Sequence, residues 1–336
     1  VSNSEIAIRG DNTHSDAVRN IAVSNNGKLF ASCSDDGTAK LFQFKDTENP
    51  TELKTDFQNI TAIRTITFSN DDKKIIAGTY DGDILIWDVN NPTAKPTKLK
   101  GHNSVINKII YSDKNDKFFS AGNDGNLKVL EMNNLSAGSS VIYKVNDRLV
   151  DISFSYFGNF IAALSESGEI KTLNTDNYSE KELIKCEEGK ATSIIWNADN
   201  ELIIGFASGK IEIRKEGKLQ EFFVHSSGIT DLLFDRKNNR LMTSSYDGLV
   251  KIWDFRNFDI EPIIIENHDA WIYCLAITPD KTRLISAGKD KSIIISNINI
   301  ELLKTLVRKE TSTNMSQKNW LRYVGEGIEY NKELPE

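Results

Sequence analysis

One unit recurs through most of this chain at intervals of 39 to 45 residues. In each copy a short polar turn, such as residues 34–37 or 245–248, separates two apolar runs. A period of about 20 to 50 residues constrains a fold strongly, because each unit must bury its faces against its neighbours. The chain therefore contains seven copies of one module, whose turns end at Gly37, Gly82, Gly125, Gly168, Gly209, Gly248 and Lys291.

Each copy has the pattern of a small antiparallel sheet. Apolar and polar residues alternate in runs such as residues 83–87 and 249–253, which is the period of a β-strand with one buried face. Tight turns rich in Asn, Asp and Gly, such as residues 25–27 and 70–72, separate the runs. Each unit is therefore predicted to be an up-and-down sheet of three or four strands.

Three short motifs carry a resemblance to a known family. The sequences Lys-Ile-Trp-Asp at 251–254 and Leu-Ile-Trp-Asp at 85–88 end two of the runs, and Gly101 and His102 precede another unit. With these motifs, roughly residues 4–300 resemble the WD-repeat β-propeller family. The resemblance implies an all-β fold, a seven-bladed β-propeller of four-stranded antiparallel blades whose radial closure removes exposed sheet edges. Other residues replace the Trp in five blades: Phe42, Leu130, Leu173, Arg214 and Ser296.

The four histidines of the chain occupy one position of the repeat, 23 residues before the last residue of the turn. The same four blades carry an Asp in the turn and a hydroxyl residue four positions before that Asp. The family resemblance implies that these residues form a structural hydrogen-bonded tetrad with the Trp, complete only in blade six. Four copies around a ring favour this architecture over a Ser-His-Asp catalytic triad. The tetrad residues are His225, Thr243, Asp247 and Trp253 in blade six, His14, Ser32 and Asp36 in blade one, His102, Ser120 and Asp124 in blade three, and His268, Ser286 and Asp290 in blade seven.

The two ends of the chain have separate predicted roles. Residues 5–9 alternate and lie where the outermost strand of a blade belongs, so we expect this N-terminal strand to close blade seven. Residues 302–307 have helical spacing, and a second short helix is expected at 316–324. The predicted domains are a propeller at 1–300 and a helical C-terminal tail at 301–336 that packs on it.

The tail carries a second, shorter resemblance. Residues 314–316, Trp320, residues 323–325 and Tyr330 are similar to the tail that ends many bacterial WD-repeat regions. Those regions often follow a STAND-type NTPase or another effector module. Because the sequence also begins with Val1 rather than Met, we expect the C-terminal sensor or scaffold region of a larger bacterial protein, with an effector or NTPase module upstream in the same chain.

Composition excludes several classes of function. The net charge is -7, whereas a nucleic-acid-binding protein is expected to be basic. Apolar runs fall far short of the roughly 18 residues that a membrane helix needs. The three cysteines are widely separated in apolar stretches, which is typical of reduced core thiols and a cytoplasmic protein. We expect no metal, no cofactor and no membrane or nucleic-acid partner.

The resemblance also implies where a partner binds. In the family three positions of each blade make much of the contact: three and five residues after the His position, and the residue before the turn Asp. Trp, Tyr and Arg, which are enriched at binding hot spots, cluster at these positions on four adjoining blades. The expected partner-binding residues on blades six, seven, one and two are Tyr246, Trp271, Tyr273, Lys289, Arg19, Asp35, Arg64 and Tyr80.

These residues favour a non-enzymatic protein that binds a peptide or another protein. These aromatic side chains could instead have a purely structural role and only cover the rim of the propeller.

The alternative function is that of an enzyme, a hydrolase or lyase that uses the central channel. Such an enzyme needs charged residues on its innermost strands, whereas most of these strands are apolar, as at residues 21–23, 109–110 and 232–233.

Overall fold

The computed structural model describes residues 5–55, 61–112, 114, 116–215 and 218–299. Both helices expected in the tail lie outside the described residues. Within them, twenty-eight strands form seven four-stranded sheets, and short 3-10 turns occur at Gly10–Asn12 and Met132–Ala137. In chain order the strands are β1 (Glu5–Ile8), β2 (Val18–Val23), β3 (Leu29–Ser34), β4 (Ala39–Gln43), β5 (Asp46–Leu53), β6 (Ile63–Phe68), β7 (Lys74–Thr79), β8 (Asp83–Asp88), β9 (Thr97–Lys100), β10 (Ile106–Ser112), β11 (Lys117–Gly122), β12 (Asn126–Glu131), β13 (Ser140–Lys144), β14 (Leu149–Phe154), β15 (Phe160–Ser165), β16 (Glu169–Asn174), β17 (Glu180–Lys185), β18 (Ala191–Trp196), β19 (Leu202–Phe206), β20 (Lys210–Lys215), β21 (Lys218–Phe223), β22 (Ile229–Asp235), β23 (Arg240–Ser245), β24 (Val250–Asp254), β25 (Ile263–Ile265), β26 (Ile272–Ile277), β27 (Arg283–Gly288) and β28 (Ile293–Asn297).

The seven sheets are the blades of a β-propeller. Blades one to six each use four consecutive strands, from β2–β5 in blade one to β22–β25 in blade six. Blade seven combines β26, β27 and β28 with the N-terminal strand β1, which pairs antiparallel with β28 and places Ile6 opposite Ile295. This arrangement confirms the predicted fold class and the closure of blade seven by the N-terminal strand.

Apolar side chains between neighbouring blades form the core. At the junction of blades seven and one, the rings of Phe30 and Phe42 stack with centroids 4.6 Å apart and pack in one buried cluster with Ile285 and Ile293. Ile8 of the closing strand is buried in the same cluster. The ring is therefore closed both by main-chain hydrogen bonds within blade seven and by apolar packing between the first and last blades.

Six of the seven turns end in glycine, and blade two shows the geometric reason. Gly82 has a φ of +84°, and a Cβ added there would lie 2.3 Å from the carbonyl oxygen of His102. Only glycine adopts this left-handed conformation without a steric cost and leaves room for the following blade. The turn residue thus links the local conformation of blade two to its packing against blade three.

A β-bulge interrupts the innermost strand of every blade. In blade one, Val18 pairs with Ser34 and Asn20 with Cys33, so Arg19 is the extra residue. A bulge redirects the side chain of the extra residue. The bulge residues all line one cavity on the axis, and they are Arg19, Arg64, Asn107, Val150, Thr192, Thr230 and Tyr273.

The residue that follows the bulge is polar in most blades, so the innermost strands are more polar than the sequence analysis expected. Asn20 accepts a hydrogen bond from the backbone N–H of Ile66 in the next blade at 3.1 Å, and Asp231 accepts one from Leu275 at 2.9 Å. Thr65 and Asp151 bind the following blades in the same way. These side chains satisfy backbone donors on the innermost strand of the next blade, which has a neighbouring strand on one side only, so their polar character is structural.

Three charged residues of this set meet inside the channel. Lys108 Nζ lies 3.7 Å from a carboxylate oxygen of Asp151 and 3.9 Å from one of Asp231. Burial disfavours the charged lysine, but the two carboxylates outweigh burial and raise its pKa. Burial also raises the pKa of Asp231. The channel thus contains an ion-pair cluster from blades three, four and six.

The described residues were compared with the patterns of membrane helices, metal sites and disulfide bonds. None of the helices there is long and apolar enough to cross a bilayer. Within the same ranges, no group of three or more His, Cys, Asp or Glu side chains is arranged to hold a metal ion. Cys33, Cys186 and Cys274 are all free thiols and buried.

Candidate functional site

The four-membered hydrogen-bond network of blade six links two strands, the turn between them and the loop that enters the blade. His225 Nδ1 lies 2.9 Å from an Asp247 carboxylate oxygen, and His225 Nε2 lies 2.7 Å from the Thr243 hydroxyl. The indole N–H of Trp253 donates to the same hydroxyl at 3.2 Å. Because a carboxylate only accepts, Nδ1 carries the proton and Nε2 accepts from Thr243. Every polar atom of this buried network therefore has a partner.

Blades three and seven contain the same network without the indole. His102 lies 2.8 Å from both Asp124 and Ser120. His268 lies 2.9 Å from Asp290 and 2.8 Å from Ser286. Each pair of bonds ties the loop that enters a blade to the second strand and the turn of that blade.

Blade one differs from this pattern. Ser32 is 2.7 Å from His14 Nε2, but the partner of Nδ1 is the Thr38 hydroxyl at 2.8 Å. The hydroxyl of Thr38 in turn donates to Asp36 at 2.7 Å, and the nearest Asp36 oxygen is 3.4 Å from the ring nitrogen. The threonine hydroxyl therefore relays the interaction that the turn Asp makes directly in the other three blades.

The blades without histidine satisfy their polar groups differently. In blade two the indole N–H of Trp87 donates to the backbone carbonyl of Lys54 at 2.7 Å. In blade five Lys210 lies 2.8 Å from Glu188, and Arg214 at the Trp position lies 2.6 Å from the fully buried Glu212. An ion-pair network thus replaces the histidine network there.

The histidines are inaccessible to a substrate. Their side chains are 0% exposed in blades one, three and six and 1% exposed in blade seven. A nucleophile or general base must reach the reacting atoms, so this burial favours the structural role.

We expect acid to weaken the protein through His102. Burial lowers the pKa of His102, so between that value and about 6.5, the ordinary pKa of histidine, the unfolded chain binds a proton that the folded chain does not. The free energy of unfolding should therefore fall as the pH drops below about 6.5, by at most about 1.4 kcal/mol per pH unit. Urea titrations from pH 7.5 to 5 measure this slope.

The variant His102→Gln should lose that contribution to the slope, whereas Ser120→Ala, which keeps the imidazole, should retain it. Asp124 does not contribute in this window: burial opposes its ionised form, but His102 and nearby N–H groups hold its pKa at about 2. Its stabilisation is lost only below about pH 3.8, its ordinary pKa. Equal slopes for wild type and His102→Gln would contradict the prediction.

A cavity of about 610 Å³ opens at the end of the channel where the bulges lie. Side chains from all seven blades line it, and five of the eight expected partner-binding residues are among them: Arg19, Arg64, Tyr80, Tyr246 and Tyr273. We call this cavity and its rim the mouth. The repeated bulge therefore brings positions far apart in the sequence to one opening.

Aromatic and cationic side chains form a continuous row along the rim. The rings of Tyr246 and Trp271 meet edge to face with centroids 5.1 Å apart, and Tyr246 is 6.2 Å from Tyr273. Lys289 Nζ lies 4.2 Å from the Trp271 ring centre, and the Arg19 guanidinium lies 4.2 Å from the Tyr273 ring centre. Cation–π and edge-to-face contacts of this kind hold the side chains in one arrangement before a partner arrives.

Asp35 extends the row to blade two. It accepts hydrogen bonds from Arg19, one of them at 2.6 Å, and its other oxygen is 3.3 Å from Arg64. Burial disfavours the charge of Arg19, but the bonds to Asp35 outweigh it and raise the pKa of Arg19. Tyr80, which is 54% exposed, lies at the mouth beside this group without belonging to the row.

The other half of the mouth carries charge that the expected site did not include. Arg148 and Glu166 of blade four form an ion pair at 2.6 Å, and Lys190 of blade five is exposed beside them. These residues occupy the same repeat positions as the aromatic ones. The expected site left them out because it was restricted to the four adjoining blades where Trp, Tyr and Arg cluster.

Comparison with known proteins agrees with the architecture. The family described as WD domain, G-beta repeat matches residues 8–43, 52–88, 94–130, 217–254 and 261–296, together more than half of the chain. The chain belongs to the WD40-repeat family. The unmatched stretch between 130 and 217 holds most of blades four and five, where the histidine network of the WD40 repeat is absent.

Individual WD40 relatives match shorter segments. WD repeat and SOCS box-containing protein 1 of Xenopus tropicalis is 29% identical over 98 residues, which is 28% of this chain and 23% of that protein. DDB1- and CUL4-associated factor 10 of Homo sapiens is 31% identical over 80 residues, 24% of this chain and 14% of that protein. A guanine nucleotide-binding protein subunit beta-like protein of Encephalitozoon cuniculi is 24% identical over 100 residues, 30% of this chain and 28% of that protein. The chain therefore spans about a quarter or less of the length of the first relatives.

Proposed function

We propose that this WD40 propeller is a non-enzymatic interaction protein that binds a peptide or protein on the face formed by blades six, seven, one and two. One observation carries the proposal: mutual contacts hold the row from Lys289 through Trp271, Tyr246 and Tyr273 to Arg19. Three of its side chains, Lys289, Trp271 and Tyr246, are exposed at the rim. Preorganised Trp, Tyr and Arg side chains are the groups that contribute most to binding at protein interfaces.

The names of relatives support a protein partner. The human relative is named as a factor that associates with DDB1 and CUL4. A protein or peptide ligand also fits the net charge of -7 better than a nucleic acid does. We therefore extend the proposal to a partner that is neither nucleic acid nor membrane.

Replacing Trp271 with Ala should weaken binding of a captured partner by at least about thirtyfold, the effect of losing a hot-spot residue worth roughly 2 kcal/mol. Trp271 is 45% exposed, so its removal should leave the thermal unfolding midpoint nearly unchanged. Arg64→Ala should act in the same direction. Capture of partners from cell extract, followed by titration of each purified partner, measures the affinity, and differential scanning calorimetry measures the midpoint.

Phe157→Ala is the matched control for this experiment. Phe157 is an exposed aromatic residue, 71% accessible, in the loop after β14 at the opposite end of an innermost strand. A partner that wild type and Phe157→Ala bind equally and Trp271→Ala binds weakly supports the proposal. A large fall in the unfolding midpoint of Trp271→Ala, or equal binding by all three proteins, would show that the aromatic row only covers the rim.

The alternative is a hydrolase or lyase that uses the channel, and three charged residues of the innermost strands lie there. Lys108, Asp151 and Asp231 pair with one another, and both carboxylates also bind backbone N–H groups. These groups already have structural partners, which makes them poor candidates for acid–base chemistry.

Three finer expectations stay predictions. A cytoplasmic location rests on the buried free cysteines. The role as a sensor or scaffold region of a larger bacterial protein, with an effector or NTPase module upstream, rests on residues 301–336, which lie outside the described residues. The relatives named above are eukaryotic proteins. Sequencing the gene upstream of the codon for Val1 tests the larger protein and its source directly.

A further inference from the structure

We infer that the partner presents an acidic peptide segment, whose Asp or Glu carboxylates enter the mouth while an aromatic or aliphatic side chain packs on the rim. The inference rests on the proposed function and adds the chemistry of the ligand. It follows from the charges of the cavity, from the way its ion pairs are shared, and from the position of the aromatic row.

The lining of the mouth has an excess of positive charge. Four cationic side chains and a single carboxylate, Glu166, belong to the lining that the described residues form. Counting Asp35, which lies directly behind Arg19 and Arg64, the surplus is still two positive charges. The whole chain carries -7, so the net charge of the mouth is opposite in sign to that of the chain. A cleft lined by one sign of charge focuses its field and attracts ligands of the opposite sign.

The guanidinium groups at the mouth are incompletely paired. Asp35 is shared between Arg19 and Arg64, and its distance to Arg64 is 3.3 Å. A guanidinium has five N–H donors arranged to bind a carboxylate through two parallel hydrogen bonds. Arg64 therefore retains donors that a peptide carboxylate can engage without breaking the Arg19–Asp35 pair.

The opposite side of the mouth offers two more cations. The Arg148 side chain is 55% exposed although it pairs with Glu166. Lys190 is exposed, and no ion pair of its side chain occurs within the described part of the chain. The carboxylate of Glu166 occupies the place at Arg148 that a ligand carboxylate would take, so it competes with an acidic ligand.

The aromatic row sets the second requirement on the ligand. Trp271 and Tyr246 are 45% and 39% exposed and lie on the rim of the mouth. Apolar area buried against such rings adds affinity that charge alone does not supply. A segment with acidic residues flanking one large apolar side chain satisfies both parts of the surface.

Two probe peptides separate charge from apolar packing. Both are fluorescein-labelled and about twelve residues long with a central Phe-Leu pair; one has Glu at the flanking positions and the other has Gln. Fluorescence anisotropy at about 20 mM salt should show the Glu peptide binding at least about tenfold more tightly, and the difference should shrink near 500 mM salt because screening weakens exposed charge pairs.

Variants of the mouth should shift the affinity for the Glu peptide in opposite directions. Glu166→Gln, which removes the competing carboxylate, should tighten binding by about threefold, and the double variant Arg148→Gln/Lys190→Gln should weaken it by about tenfold. The matched control is Lys28→Gln/Lys237→Gln, which makes the same change of net charge in loops at the other end of the innermost strands. It should leave the affinity unchanged.

Failure of the inference is distinct from failure of the proposed function. Equal affinity for the two peptides, no binding of the Glu peptide below about 1 mM, or an equal loss in the control variant would each overturn the acidic ligand. None of these results depends on the captured partner. Loss of that partner in Trp271→Ala would still support an interaction face, whereas its retention would overturn the proposed function whatever the peptides do.

Discussion

Replacing Lys108 with Met should lower the free energy of unfolding by about 3 kcal/mol at pH 7, the low end of the range for breaking a buried ion pair. The substitution leaves two carboxylates, Asp151 and Asp231, buried side by side without their cation. Methionine has nearly the shape of lysine, so the loss reports charge rather than volume. Urea-induced unfolding followed by tryptophan fluorescence measures the difference from wild type.

The pH dependence of this loss identifies its cause. Burial already raises the pKa of Asp231, and removal of Lys108 should raise it further. For an acid whose pKa is higher in the folded state, stability is lost as the pH rises above the unfolded value near 3.8, so the deficit of the variant should shrink as the pH falls from 7 towards 4.

A second background provides the control. In a chain that already carries Asp151→Asn and Asp231→Asn, the substitution Lys108→Met should cost less than about 1 kcal/mol, because no buried carboxylate is left unpaired. A deficit that is the same in both backgrounds, or one that does not change with pH, would mean that Lys108 stabilises the channel only through packing.

Replacing Thr243 with Val should cost about 3 kcal/mol of unfolding free energy. The hydroxyl of Thr243 serves two buried groups, the His225 ring at 2.7 Å and the Trp253 indole at 3.2 Å. Valine has the same shape without the hydroxyl, so an acceptor and a donor are left buried without partners, each at a cost of about 1–3 kcal/mol. Chemical denaturation, with Tm as a second measure, reports the loss.

Two comparisons sharpen this prediction. Thr243→Ser keeps the hydroxyl and should cost roughly 1 kcal/mol or less from the lost methyl group. Ser120→Ala in blade three, where the hydroxyl serves only His102, should cost about half as much as Thr243→Val. If Thr243→Val were no worse than Thr243→Ser, the hydrogen-bonded network of blade six would not stabilise the fold.

Much of the architecture could be predicted because it depends on local patterns that repeat. The turns punctuate the chain at 39 to 45 residues, and alternation within each unit indicates strands, so the number of blades follows from counting. The shared register of the histidines anticipated partners that the structure places within hydrogen-bond distance, as for His225 with Asp247 and Thr243. The alternating N-terminal segment likewise predicted the closure of blade seven.

The candidate site could be predicted only in part. Repeat positions predicted that Trp271, Tyr246, Tyr273 and Arg19 would share a face, but their order along one continuous row depends on side-chain orientations. The orientations of Arg19 and Tyr273 follow from the bulges, and a bulge leaves no unique residue signal in the sequence. The cations of blades four and five occupied predictable positions, yet their importance emerged only with the charge of the complete mouth.

The amino-acid sequence alone defines the repeat unit and the number of its copies. Strand alternation, turn glycines and the histidine register are all properties of short stretches of chain. What required the folded ring is every interaction between residues of different blades or within one crowded turn. Thr38 stands between His14 and Asp36 because of the exact path of one turn, and Lys108 meets Asp231 because the channel is narrow enough for a side chain to cross it. The distance across the channel depends on the closure of all seven blades, which no single repeat encodes.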